Sequence, residues 1–167
     1  NQDIIMLKQA IDFKSESDYL YNLLLKQTDL DFNKKTQFKE WSFDTIIRHL
    51  HVWNYAANLA LTNNNGWRKF SKNLDIAFNE GKNLNDFEND FTKNLKGLSL
   101  LDTWKNVYEK TAKKFSSENP KKRVKWIGPD MSVISSISAR QMETWAHGQA
   151  IFDTLGQRRE NRDRIIN

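Results

Sequence analysis

The chain has 167 residues, 38% of them apolar and 28% charged, and carries a net charge of +5. That length fits one domain able to bury a core without staples, and the composition excludes a disordered or membrane-spanning chain. No cysteine is present, which excludes disulfides, thiolate ligands and a cysteine nucleophile, so any thiol chemistry must use a thiol from outside.

No run approaches the roughly 18 apolar residues that a bilayer span needs, and the first residues lack a basic-then-apolar signal. A cytoplasmic protein without membrane association is therefore expected. Because the first residue is Asn rather than Met, a start further upstream is expected as well.

Apolar spacing predicts a first helix from about Asp3 to Lys26, with Ile4, Leu7, Ile11, Leu20, Leu23 and Leu24 as its stripe. A polar, irregular connection follows to Trp41. Ser42 can cap a second helix running to about Leu61, with Thr45 at its third position. The pattern predicts further helices over Trp67–Glu80 and Asn85–Lys96, the latter shorter and weaker. Another spans about Leu98–Ser116, with Leu101, Trp104, Val107, Tyr108 and Phe115 at helical spacing. After a long loop holding both prolines, the last strong helix starts near Asp130 or Ser132 and runs to Leu155, where Gly156 suits its end. No segment alternates at period two. The expected fold is all-α, a four-helix bundle with two long crossing connections. Residues 1–156 form its domain and residues 157–167 the start of a C-terminal extension or tail.

Two basic clusters, "NPKKRVKW" and "GQRRENRDR", account for much of the charge. The first lies between Pro and Gly, and the second is broken by Glu160 and Asp163. Both read as solvated loop and helix end rather than as a nucleic-acid stripe.

The segment "RQMETWAHGQ" carries the chemistry. Glu143 and His147 lie four apart on one helix face, so their donor atoms can converge on one ion. The same face carries Ser136, Ala139, Arg140, Ala146, Ala150 and Thr154, small or polar residues that leave volume for an ion and something bound to it. A third ligand must come from His49 or His51, which lie about 200° apart around the second helix. His49 shares its face with Thr45, Ile46, Val52, Trp53, Ala56 and Ala60 and points inward; His51 reads as surface or as a residue behind the ligands. His49, Glu143 and His147 with an open position make the ligand set of catalytic zinc and related divalent centres. From spacing alone, a Glu–His contact belonging only to the helix surface stands beside this reading. Arg140 is either an ion-pair partner of Glu143 or a grip for a substrate carboxylate. Trp41, Trp104 and Trp145 read as anchors; Trp53 could line a pocket or pack in the core. Trp145 and Phe152 fall opposite Glu143, which calls for cover there by a C-terminal region or a second subunit, as in a homodimer.

The stretch "WIGPDMSVISSISARQMETWAHGQAIFDTLG" resembles the last-helix signature of the DinB/YfiT-like metal-binding superfamily. It is nearest the group with the mycothiol-dependent maleylpyruvate isomerase-type N-terminal domain. "TQFKEWSFDTIIRHLHVWNYAA" is similar to that group's entry into helix two. The resemblance implies a four-helix bundle whose metal is held by a His from helix two and a Glu-x-x-x-His from the last helix, positions that fall on His49, Glu143 and His147. It further implies a divalent ion, foremost zinc with nickel, iron or manganese as alternatives. The implied cosubstrate is a low-molecular-weight thiol, activated for transfer or isomerisation of a small molecule. The rival reading is a non-catalytic, metal-stabilised module that binds a small ligand or a protein.

Overall fold

A computed structural model describes residues 6–159. Its elements are α1 (Lys8–Leu24), a 3-10 turn (Asp29–Asn33), α2 (Phe43–Thr62), α3 (Asn64–Asn79), α4 (Leu84–Phe91), α5 (Gly97–Ser116), β1 (Arg123–Val124), β2 (Met131–Ser132) and α6 (Val133–Thr154). The all-α class is as expected. The expected start of the first helix at Asp3 and the last eight residues of the tail lie outside the described residues.

The four long helices form a ring. α1 packs against α5 and α6, and α2 packs against the same two, so α1 and α2 stand at opposite corners. Phe13, Leu20 and Leu24 of α1, Ile46, Ile47 and Leu50 of α2, Leu100, Trp104, Tyr108 and Phe115 of α5, and Val133, Ile137 and Ile151 of α6 fill the centre. Tyr108 places its ring against Trp104 and its hydroxyl donates to Asp18 Oδ1 at 2.7 Å, so the buried phenol keeps a partner.

Hydrogen bonds between helix ends set the directions. The Leu7 amide donates to the Ser116 carbonyl, so α1 begins where α5 ends. The Gly97 amide donates to Asp44 Oδ1 at 2.7 Å, so α2 and α5 begin together and run the same way. The chain must therefore return along the bundle between them, and α3 and α4 make that return.

Ser42 caps α2 as the sequence indicates, its hydroxyl accepting from the Thr45 amide at 3.1 Å. α6 ends on Gly156, whose φ of +64° suits glycine. The Gly156 amide donates to Asp153 O and the Gln157 amide to Phe152 O, which closes the last turn as a Schellman motif. The two-proline loop differs from expectation: Arg123 pairs with Ser132 and Val124 with Met131 in a two-residue antiparallel ladder. Two residues per strand are too few for period-two patterning to register. Within this hairpin Lys125 pairs with Asp130 at 3.3 Å, and Lys122 pairs with Glu118 at 3.7 Å, so part of the basic cluster is neutralised locally.

The far face of α6 is covered from within the chain. Phe152 is buried and stacks on Tyr19 of α1, with ring centroids 5.2 Å apart. Arg159 folds back so that its guanidinium donates to the Trp145 carbonyl, pairs with buried Glu16 and lies over the Trp145 and Phe152 rings. Among the described residues, no helix is long and apolar enough to cross a membrane.

Candidate metal centre

His49 from α2 and Glu143 and His147 from α6 meet at one point. Glu143 Oε2 lies 2.9 Å from His147 Nε2 and 3.7 Å from His49 Nε2. One donor atom from each of the three falls within 4.8 Å of the others. Three donors at ~2.05 Å from an ion in a tetrahedral arrangement stand about 3.3 Å apart, so the two measured separations bracket what a zinc-like ion requires. The donor set, two imidazole nitrogens and one carboxylate, fits a borderline divalent cation.

The two imidazoles are largely buried, whereas the Glu143 side chain is 42% exposed, so the site opens to solvent on the Glu143 side. Hydrogen bonding to His147 and then His49 holds the Glu143 carboxyl far below the usual carboxylate range, against the opposing effect of burial. Burial alone would push His49 down, but its hydrogen bonds and charge contacts with Glu143 and Glu88 outweigh that, and its net shift is upward. His49 and Glu143, both shifted by their neighbours in a half-open cleft, make this point a functional-site candidate.

Aromatic rings fix the imidazoles. Trp41 stacks on His147 (5.5 Å, 9°) and meets His49 at a steep angle, while Phe38 meets His147 edge-on at 5.1 Å. Between these two rings the chain turns through Lys39 and Glu40 at φ of +50° and +58°. Left-handed backbone costs a residue with a Cβ about 1–2 kcal/mol. Such conformations persist where surrounding contacts over-determine them, and here they place Phe38 and Trp41 on the same imidazole.

Of the small or polar residues read from the sequence, three line a cavity that none of the candidate ligands lines. Ala146, Ala150 and Thr154 of α6, with Gln149 and Asp153, floor a cavity of about 660 Å³, and Lys35, Gln37 and Phe38 wall it. Phe38 joins this cavity to His147.

Arg140 is not the ion-pair partner of Glu143 that one of the two sequence readings expected. It is only 8% exposed, and its guanidinium lies 5.1 Å over the Trp126 ring. It makes no ion pair with Glu143. Among the described residues no acceptor bonds its guanidinium, and Nε is buried without a partner. Desolvation brings its pKa down to about 10 despite the Glu143 charge nearby.

His51, expected at the surface or behind the ligands, is buried at 5% exposure with Nδ1 unpartnered. α2 packs against α3, α4, α5 and α6, so even the side turned away from His49 is covered. Burial brings the His51 pKa down to about 4. It does not join the metal-competent cluster, and neither does Asp153, which accepts from Gln149 at 2.8 Å.

Sequence reasoning missed Glu88. It is 1% exposed, and its Oε2 lies 2.6 Å from His49 Nδ1 and 2.9 Å from Trp53 Nε1. The signal was present: Leu84, Phe87, Glu88 and Phe91 share the i, i+3, i+4, i+7 face of α4, so an acid stands on an apolar stripe. Trp53 thus serves as a hydrogen-bond donor and packs against Phe70 and Trp126.

An all-α bundle whose second and last long helices bring two imidazoles and a carboxylate together is the arrangement that the DinB-like resemblance implies. More narrowly, the chain belongs to the mycothiol maleylpyruvate isomerase N-terminal domain family, which it matches over residues 13–152. It is 29% identical over 148 residues to uncharacterized proteins from two strains of Mycobacterium tuberculosis, CDC 1551 / Oshkosh and ATCC 25618 / H37Rv. The match takes in 87% of this chain and 55% of each relative, so the chain spans about half the length of the curated relatives it matches. No solved structure matches the chain at a significant level.

Proposed function

We propose that this domain holds one divalent ion, foremost zinc with nickel, iron or manganese as alternatives, between His49, Glu143 and His147. We further propose that it acts with a low-molecular-weight thiol in a transfer or isomerisation reaction. The observation that carries this reading is the convergence of three donors from α2 and α6 on one half-open point. A bound divalent cation would act as a Lewis acid and keep an incoming thiol as thiolate near neutral pH.

The chain's own residues supply the rest. Trp41 and Phe38 hold the His147 ring in place. The cavity beside Phe38 takes the body of the thiol or substrate, with Gln149 and Asp153 offering polar contacts. Arg140, a buried cation lacking an acceptor, fits a substrate anion, which it would orient from the α6 side one turn before Glu143. The rival is a non-catalytic binding module stabilised by its metal. A closed structural site needs a fourth ligand, and no fourth His, Asp or Glu joins the three among the described residues. Small molecules rather than nucleic acid are the proposed partners, in a cytoplasmic setting, and the chain beyond Gly156 is proposed to lead into a further segment.

Elemental analysis of tag-free protein tests the first half of the reading. About one divalent ion per chain is expected, lost in His49→Ala and in Glu143→Ala while far-ultraviolet dichroism stays helical. A panel of thiols with acidic electrophiles tests the second half. Turnover is expected that vanishes in folded His147→Ala, and equal turnover in that variant would overturn the enzymatic reading.

A further inference from the structure

The geometry of α4 points to Glu88 as a positioning residue that holds His49 with Nδ1 protonated and Nε2 turned to the ion; this inference rests on the metal-binding reading above. An ionised carboxylate only accepts hydrogen bonds. With Glu88 Oε2 at 2.6 Å from His49 Nδ1, the proposed tautomer has its hydrogen on that nitrogen. Nε2 is left with its lone pair, on the side where Glu143 Oε2 lies 3.7 Å away.

The position is a costly one for a charge. Glu88 sits among Leu84, Phe87 and Phe91, and burying a carboxylate is unfavourable unless it is hydrogen-bonded and its charge offset. Arg48, the nearby cation, does not bond Glu88; its guanidinium donates to Thr92 Oγ1 at 3.1 Å and to the Leu95 carbonyl at 2.7 Å. Trp53 needs only an acceptor, which an amide would also provide. What the charge does at this place is act on His49. A carboxylate behind a ligating imidazole fixes its tautomer and orientation and raises its donor strength. The return segment between α2 and α5 therefore does more than carry the chain back, because it reaches the centre through α4.

The test compares Zn(II) affinity, by competition with a chelating dye, in the parent chain, Glu88→Gln and Trp53→Phe. It adds nitrogen-15 histidine spectra of the zinc-loaded parent. Glu88→Gln is expected to keep its helicity and to bind Zn(II) about 10–100-fold more weakly. Trp53→Phe, which removes the other donor to Glu88, is expected to change affinity by less than about threefold, since it leaves the Glu88–His49 bond intact. In the parent, His49 Nδ1 is expected to carry a slowly exchanging proton. Zinc on Nδ1, a folded Glu88→Gln with parental affinity, or equal losses in both variants would each overturn the proposal. The spectra of the parent decide it even if Glu88→Gln does not fold. A parent chain that takes up no zinc would instead remove the metal reading itself, and this inference with it.

Discussion

Only one residue separates His49 from His51 on α2, yet the two imidazoles meet opposite surroundings. His49 faces two carboxylates and shifts up, while burial brings His51 down to about 4. An unfolded chain takes up the His51 proton near its ordinary pKa of 6.5, whereas the folded chain does so only near 4. His51 therefore costs nothing above pH 6.5, and stability falls as the pH drops from there to about 4. The loss approaches about 3 kcal/mol by linkage. Urea titrations of metal-free protein are expected to show a shallower acid slope in His51→Gln than in the parent, and equal slopes would contradict the assignment. Arg140 gives the matching prediction for a buried cation. Arg140→Met is expected to leave zinc content unchanged and to raise KM for an anionic substrate by about 10–100-fold, as for loss of a charged hydrogen bond. Its Tm is expected to rise, because a buried cation without an acceptor is unfavourable in the fold; a fall would mean that the guanidinium serves packing.

The start of α5 shows how one element depends on others. Lys96 caps nothing with its side chain. Asp44 of α2 accepts from the Gly97 amide at 2.7 Å, and Asp29 of the 3-10 turn accepts from the Leu98 amide at 2.8 Å. Both acids also lie where the helix dipole favours negative charge. Burial raises the Asp44 pKa even though the Gly97 amide and Arg48 oppose it. Gly97 has φ of +61°, and a Cβ there would collide with Asp29 Oδ1. Gly97→Ala is therefore expected to destabilise by at least about 2 kcal/mol, from left-handed strain plus a disturbed cap. Gly128, with φ of +100° but open space around it, isolates the strain. Gly128→Ala is expected to cost clearly less by chemical denaturation, and equal costs would remove the role given to Asp29.

For the whole molecule, an ion held between α2 and α6 would tie together two of the four bundle helices. At a free zinc concentration a hundredfold above Kd, binding adds about 2.7 kcal/mol. For a domain of this size that corresponds to a Tm higher by roughly 5–10 °C. Scanning calorimetry is expected to show this shift in the parent chain and none in Glu143→Ala. The helices, the Ser42 cap, the Gly156 ending and the Glu143–His147 contact were legible in the sequence, because each depends on residues within about one turn of one another. Periodicity also put His49 on an inward face. It could not say what covers a face: His51 is buried because α2 is surrounded, and Arg140 lies on a tryptophan from the hairpin loop. Glu88 meets His49 across 39 positions of chain, and Trp41 reaches His147 only through a left-handed turn. Local spacing dictated which way each side chain points from its helix. Only the tertiary packing decided what each one meets, because those partners are brought together by the crossing of distant segments.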